Sequence, residues 1–244
     1  MQEVIKVEQL TKFYDRLLAV DGVSLSVNRG MAFGLLGANG AGKSTMIECI
    51  LGTKKADKGQ ISILGMNPQT NRKMLYEKVG VQFQEANYQE KITVAELCEV
   101  TASLYHEAAD PFALLSQFGI GDKRKSFVRD LSGGQRQRLF IVLALIPNPE
   151  VVFLDELTTG LDTKARREVW KILSGLKAKG LTIFLTSHFM DEVEAICDQI
   201  CILKQGKAVF YGTVSEAIKN SPCHNFEDAY LWYTDEEGET SENF

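Results

Sequence analysis

A glycine-rich segment that carries one lysine is a candidate for phosphate chemistry. Its residues read Gly-Ala-Asn-Gly-Ala-Gly-Lys-Ser-Thr and fit the pattern G-x-x-x-x-G-K-[ST] of a phosphate-binding loop. Backbone N–H groups close around phosphate oxygens only where side chains do not block the approach. We expect Lys43 to reach the β- and γ-phosphates of a nucleoside triphosphate and the Ser44 hydroxyl to bind Mg²⁺. The predicted binding residues are Gly37, Asn39, Gly40, Ala41, Gly42, Lys43, Ser44 and Thr45.

Two adjacent carboxylates follow a short apolar run further along the chain. Val151 to Leu154 are hydrophobic, and Asp155 and Glu156 come directly after them. Ligands of α/β folds bind at the carboxyl ends of parallel strands, which is where both acids would stand. The segment resembles the Walker B motif, and that resemblance implies that Asp155 holds Mg²⁺ and that Glu156 polarises an attacking water as general base. Alone the signal is weak, because a carboxylate that caps a helix is the commoner explanation.

A third segment, Leu131-Ser132-Gly133-Gly134-Gln135, precedes an apolar stretch and is expected to be a loop that enters a helix. Its small residues should leave backbone N–H groups and the Ser132 hydroxyl free to meet an anion. With this LSGGQ sequence, the chain resembles the ATP-binding cassette (ABC) ATPases. In that family the anion is the γ-phosphate of ATP held by the opposite subunit. The resemblance implies that Ser132, Gly133, Gly134 and Gln135 contact ATP, and that one chain alone cannot complete a site.

Smaller motifs extend the resemblance in the family's order. His188 follows an apolar strand, as does the family's switch histidine, which contacts the γ-phosphate. Gln84 ends Val-Gln-Phe-Gln and matches the glutamine that senses Mg²⁺ and water and transmits their state to a transmembrane partner. Gln82 is the alternative for that role, since it lies two residues away on the same strand face.

Two further residues are assigned by the same resemblance. Tyr14 matches the aromatic residue that stacks on adenine, with Phe13 as its competitor. Asp162 ends Thr-Gly-Leu-Asp, which resembles the D-loop that crosses the interface between two ATPase subunits.

The elements that must position these residues follow from hydrophobic periodicity. Alternating apolar residues between Val4 and Val27 predict short strands, and the run from Met31 to Gly37 predicts a buried parallel strand. Strand–helix alternation resumes at Val151. We therefore expect an α/β fold: a P-loop NTPase core with a mostly parallel sheet and an N-terminal antiparallel β subdomain.

Between the P-loop and LSGGQ the period changes to that of helices. Thr93 with Glu96 forms a potential capping box, and Asp110-Pro111 is typical of a helix start. A helical subdomain carrying LSGGQ is predicted at about residues 90–145, within an ABC ATPase domain spanning residues 1–233. The acidic residues 234–244 are expected to be disordered.

The composition and net charge limit the classes of protein to which this chain can belong. The chain has 244 residues, and no apolar run approaches the roughly 20 residues that span a bilayer. A formal net charge of −5 disfavours nucleic acid as a partner. Five scattered cysteines suit reduced thiols of the cytosol better than a disulfide framework.

The resemblance implies an ATP-binding and hydrolysing subunit of an ABC transporter at the cytoplasmic face of the membrane. Two copies, or this chain and a homologue, would close head-to-tail around two Mg·ATP and drive separate integral membrane permease subunits. Segments such as His188-x-x-Asp191-Glu192 look like those of drug, antibiotic or polysaccharide exporters. The alternatives are a non-transport ABC ATPase of DNA repair or translation and a non-hydrolysing, nucleotide-gated binding module.

Overall fold

Two sheets and a set of flanking helices form the fold. The structure is a computed structural model that describes residues 2–82, 91–156 and 158–235. The strands are β1 Glu3–Tyr14, β2 Leu17–Asn28, β3 Ala32–Gly37, β4 Lys58–Ile63, β5 Val79–Gln82, β6 Val151–Leu154, β7 Thr182–Thr186, β8 Gln199–Lys204 and β9 Lys207–Gly212. The helices are α1 Lys43–Ile50, α2 Arg72–Tyr76, α3 Val94–Ala102, α4 Pro111–Gln117, α5 Gly133–Leu145, α6 Thr163–Ala178, α7 Met190–Ile196, α8 Val214–Lys219 and α9 Phe226–Thr234.

The larger sheet has the strand order β5-β6-β7-β3-β8-β9. All neighbouring pairs are parallel except the β8–β9 hairpin. Every residue of β3, β6 and β7 is buried, as expected for parallel strands covered on both faces. The predicted α/β core with a mostly parallel sheet is confirmed, and an antiparallel hairpin of β8 and β9 closes the sheet.

The smaller sheet is antiparallel, with the order β2-β1-β4, which confirms the predicted N-terminal β subdomain. The expectation of short strands was wrong, since β1 and β2 each run for 12 residues. Their pairing shifts register at several points, and Gln9 and Gly22 have positive φ there. Such bulges let a long strand pair continue while it bends and twists.

Two helices that lie between β5 and β6 in the sequence, α3 and α4, begin at residues whose side chains cap them. Thr93 and Glu96 form the predicted capping box of α3, and the Asp110 carboxylate accepts a hydrogen bond from Phe112 N at the start of α4. Phe118, Leu139 and Ile141 are buried together with residues of β6 and β7, which packs these helices against the large sheet. The segment of residues 83–90, with Gln84, lies outside the described residues.

Near the C-terminus, α9 buries Phe226 and Ala229 and so packs against the rest of the domain. Of the acidic segment predicted at 234–244, Thr234 and Asp235 are described. Within the described residues, no helix has the length and hydropathy needed to cross a bilayer.

Candidate active site

A cavity of about 820 Å³, here called the P-loop cavity, opens at the carboxyl ends of β3 and β6. From the predicted site it is lined by Tyr14, Asn39, Gly40, Gly42, Lys43, Ser44, Thr45, Asp155 and Glu156. Leu17, Leu18, Ala19, Gln205 and Gly206 complete the lining. The glycine-rich segment and both carboxylates, more than 100 residues away in sequence, therefore share one cavity.

Lys43 folds back over its own loop. Its Nζ donates to the carbonyl oxygens of Gly37 at 2.7 Å and Ala38 at 3.0 Å. Burial lowers the pKa of Lys43, while the nearby Glu156 and Asp155 carboxylates work in the opposite direction. A partly desolvated ammonium of this kind gains most from an anionic ligand such as a phosphate.

Two glycines of the loop are required by the backbone. Gly37 has φ 148°, and a Cβ there would lie 2.5 Å from the Leu203 carbonyl oxygen. Gly42 has φ 102°, and its Cβ would lie 2.5 Å from the Ala19 carbonyl oxygen. Any side chain at either position would force the neighbouring strands apart, in addition to the strain of a positive φ.

Thr186, the last residue of β7, organises the two carboxylates. Its Oγ1 donates to Asp155 Oδ1 and accepts a hydrogen bond from Glu156 N at 3.0 Å. Thr186 has no role among the residues predicted from sequence. A hydroxyl residue at the carboxyl end of a buried strand, two residues before His188, is the signal that could have found it.

Glu156 holds an unusual backbone conformation. Its φ is 50°, in the left-handed region that non-glycine residues adopt rarely and at a cost of about 1 kcal/mol or more. Its carbonyl oxygen accepts a hydrogen bond from Gln137 Nε2 at 3.2 Å, and its Oε2 lies 3.5 Å from the Thr159 hydroxyl. Hydrogen bonds at both of its peptide groups therefore hold the strained residue in place.

The remaining predicted contacts lie at the edges of the cavity. Tyr14 lines it and is 36% exposed, whereas Phe13 is not among its lining residues. Gln82 is buried and donates through Nε2 to the Asp155 carbonyl oxygen at 3.1 Å. His188 is exposed beyond the end of β7, with its ring 4.3 Å from that of Phe189, and does not line the cavity.

The LSGGQ residues form a separate corner, here called the signature corner, at the start of α5. A cavity of about 470 Å³ lies beside it, lined by Ser132, Gly133, Gly134 and Gln135 with Gly160, Leu161 and Asp162, and by Gly119, Ile120, Arg138 and Ala165. The predicted loop-to-helix transition is confirmed, because Ser132 is the N-cap of α5. Asp162 caps α6 by accepting a hydrogen bond from Ala165 N at 2.8 Å.

The contact of Ser132 with an anion stays a prediction, and the structure adds that this residue also caps its own helix. Its backbone N–H donates to Gln135 Oε1 at 3.1 Å, and its Oγ accepts from Gln135 N at 3.3 Å. This capping box satisfies helix-end donors that would otherwise be unpaired. The Ser132 hydroxyl proton and the first-turn glycine N–H groups are what an anion could still engage.

The P-loop cavity and the cavity of the signature corner have no lining residue in common among the described residues. Within one chain, the P-loop cavity thus contains the predicted phosphate and Mg²⁺ ligands, and the other cavity contains the LSGGQ residues. Both sets were predicted to contact a single triphosphate.

The sequence of this chain is similar to those of known proteins. Residues 20–159 match the ABC transporter family. The Nod factor export ATP-binding protein I of Burkholderia thailandensis is 39% identical over 221 residues, which cover 88% of this chain and 73% of that protein. A fluoroquinolones export ATP-binding protein of Mycobacterium tuberculosis is also 39% identical, over 88% of this chain and 72% of its own length.

Solved structures give the same result. An ATP-binding subunit of an ABC transporter superposes with a TM-score of 0.87 at 27% identity, covering 95% of this chain and all of that one. A dimeric ATP-binding cassette bound to ADP and Pi has a TM-score of 0.78 at 25% identity, covering 86% and 98%. The chain belongs to the ABC transporter family. It is an ATP-binding subunit of that family and an ATPase.

Proposed function

We propose that this chain powers an exporter by binding Mg·ATP in the P-loop cavity and closing head-to-tail with a second ATPase subunit. Lys43 and the loop N–H groups hold the phosphates, Tyr14 stacks on adenine, and Glu156 polarises the water that attacks the γ-phosphate. The signature corner of the other subunit caps the same triphosphate through Ser132 and its neighbouring glycines. His188 and Gln84 contact the γ-phosphate and Mg²⁺ in the closed state.

One observation carries the head-to-tail arrangement. The P-loop with both carboxylates lines one cavity, and the LSGGQ residues line another that shares no described residue with it. A second chain that supplies its signature corner would complete each site. The dimeric cassette with ADP and Pi, at a TM-score of 0.78, is a relative of the kind that this arrangement requires.

The residues fit a magnesium ion. The Ser44 hydroxyl and Asp155 carboxylate line the same cavity, and oxygen ligands are those that Mg²⁺ prefers. No group of three or more His, Cys, Asp or Glu side chains within the described ranges could hold a metal by itself. Bound Mg²⁺ would therefore take its remaining ligands from phosphate oxygens and water, and would neutralise charge on the transferred phosphoryl group.

Export is favoured by the relatives. Two that are each 39% identical to this chain are named for export of different compounds, Nod factor and fluoroquinolones. Because these two names refer to different compounds, they do not identify a cargo for this chain, and in our proposal the choice of cargo falls to separate membrane subunits. The chain would act as a peripheral subunit at the cytoplasmic face, and nucleic acid is not expected among its partners. Membership of a transporter family favours this function over DNA repair or translation.

Mixing two inactive variants tests the shared site. Lys43→Ala removes the phosphate contact and Ser132→Arg blocks the signature corner, so each variant alone should not turn over ATP. A mixed dimer has one site with an intact P-loop and an intact signature corner. We expect mixing to restore about a quarter of wild-type phosphate release, because half the random dimers are mixed and each has one site. No restoration, with mixed dimers verified by tag capture, would contradict the arrangement.

The membrane partner can be sought with the same protein. Tagged Glu156→Gln chain, captured with ATP from detergent-solubilised membranes, should retain an integral membrane protein that Lys43→Ala chain does not retain. Capture of ribosomes or DNA in its place would favour the non-transport alternative.

A further inference from the structure

Helix α5 connects the signature corner to the catalytic carboxylate of its own chain. The helix begins at the Ser132 cap, and its second half is anchored in the core by Leu139, Ile141 and Val142, all fully buried. Gln137 lies between these two ends. Its Nε2 donates to the Glu156 carbonyl oxygen at 3.2 Å, so the helix that carries the LSGGQ residues touches the backbone of the residue assigned as general base.

The position of this hydrogen bond matters because Glu156 is strained. With φ at 50°, the residue needs surrounding contacts to persist in that conformation. Its N–H donates to Thr186 of the large sheet, whereas its carbonyl oxygen accepts hydrogen bonds from Gln137 of α5 and from Thr159 N, each at 3.2 Å. The two peptide groups of Glu156 are thus fixed by different parts of the molecule, and the direction of its carboxylate depends on both.

A second contact ties the same helix to the chain that follows Glu156. A Cβ added to Gly134 would lie 3.1 Å from Leu161 Cδ2 and 3.6 Å from the Gly160 carbonyl oxygen. The first turn of α5 therefore packs directly on the D-loop segment at residues 159–162. A shift of α5 would be transmitted to the segment after Glu156 at two points, since packed elements move as units.

We propose that Gln137 is a positioning residue, through which the signature helix orients the Glu156 of its own chain. This inference rests on the proposed function. The helix then serves two sites: its N-terminus meets the triphosphate of the partner, and its second turn aligns the base that acts on the triphosphate of its own P-loop.

Gln137→Met tests this directly, because methionine is neutral and similar in length but has no N–H to donate. We expect kcat for ATP hydrolysis to fall about 10-fold, since alignment of the base is lost while its carboxylate remains. The Kd for a fluorescent ATP analogue should stay within about 2-fold, because no phosphate contact changes. Gln117→Met, at an exposed position of α4, is the matched control and should leave kcat unchanged.

Mixed dimers separate this role from a general effect on the signature corner. In the pair of Lys43→Ala and Ser132→Arg chains, the working site uses Glu156 of the Ser132→Arg chain and the LSGGQ residues of the other. Gln137→Met should lower the restored activity when placed in the Ser132→Arg chain and spare it when placed in the Lys43→Ala chain. The reverse pattern, or a kcat equal to that of Gln117→Met, would overturn the inference. Failure of the proposed function would give a different result from failure of this inference. In that case the wild-type chain would not hydrolyse ATP, or Glu156→Gln would not change the rate.

Discussion

The P-loop cavity and the signature corner hold their polar groups in different ways. In the P-loop cavity, Asp155 is held by Thr186, 31 residues away, and the hydrogen bond from Gln82 to Asp155 spans 73 residues. In the signature corner, Ser132 pairs with Gln135 and Asp162 with Ala165, each three residues away. The first is assembled by strands that meet in the sheet, and the second by helix caps that close on themselves.

The P-loop cavity and the signature corner also differ in the charged groups that they contain. The P-loop cavity contains a half-buried ammonium, Lys43, beside two carboxylates, so its charges interact in a partly desolvated space. The signature corner contains glycine N–H groups, a hydroxyl and Arg138, whose guanidinium pairs with Glu168 and with the Phe118 carbonyl oxygen. We therefore expect the P-loop cavity to depend on distant residues and the signature corner to tolerate changes that keep its caps.

Glu156→Gln should have the largest effect, because it removes the base from the P-loop cavity and leaves every phosphate contact. We expect phosphate release to fall about 10²–10⁴-fold while ATP still binds and holds the dimer closed. Phosphate release and size-exclusion chromatography with ATP measure these two results. Glu194→Gln, an exposed change of the same chemistry on α7, is the control. Unchanged turnover in Glu156→Gln would show that Glu156 is not the general base.

Thr186→Val tests the dependence on a distant strand. The substitution leaves Asp155 and the Glu156 N–H without their shared partner, so we expect turnover to fall about 10–100-fold and stability to fall by about 1–3 kcal/mol. Thr182→Val is the matched control, because this buried residue of β7 accepts a hydrogen bond from Gly30 N away from the cavity. It should lower the Tm to a similar extent and spare turnover per folded molecule. Equal losses of turnover in both variants would mean that stability alone explains the effect.

Gly42→Ala and Gly133→Ala compare the two regions through one added methyl group. At Gly42 the Cβ meets the Ala19 carbonyl oxygen at 2.5 Å with φ at 102°, whereas nothing lies within 4 Å of a Cβ at Gly133. We expect Gly42→Ala to lower the free energy of unfolding by at least about 1–3 kcal/mol and Gly133→Ala to leave it within about 1 kcal/mol of wild type. Urea denaturation gives both values. Similar stabilities for the two variants would contradict the contrast.

Glu192→Gln should give the smallest effect, on a buried carboxyl of α7 outside both cavities. Burial raises the pKa of Glu192, while the polar side chains of Ser187, Thr158 and Trp170 oppose that rise, the last through a hydrogen bond from its Nε1 to Glu192 Oε1 at 3.0 Å. Its stabilising contribution is full below the ordinary pKa of 4.5 and is lost as the pH rises through the raised pKa of the folded state. The Tm of Glu192→Gln minus the Tm of wild type should therefore increase by roughly 2–4 °C as the pH rises from acidic to neutral. A constant difference across that range would show that the carboxyl does not change its charge.

The sequence predicted the local features well because their causes are local. The predicted caps at Thr93 and Asp110 follow from side chains within three residues of the helix ends. The buried parallel strands follow from continuous apolar runs such as Val151–Leu154. The capping box of Ser132 has a sequence signature too, since Ser and Gln stand three residues apart.

For other features, the sequence around a residue does not identify the partner of that residue. Thr186 and Gln137 reach Glu156 from opposite sides, across 30 and 19 residues of sequence, and a partner at that separation is set by how strands and helices pack. The length of β1 and β2 was missed for a similar reason, because bulges that let strands continue are stabilised by the partner strand.

Residue types and their spacing by themselves determined the nucleotide chemistry, since a phosphate loop, a pair of carboxylates and a glycine-rich helix start each need particular side chains at fixed distances along the chain. The tertiary structure decided how those groups stand to one another: a strained Glu156 fixed between sheet and signature helix, and two cavities with separate linings. Spacing along the chain constrains groups within a turn or a cap, whereas only the packing of sheet and helices brings distant residues into contact or keeps them apart.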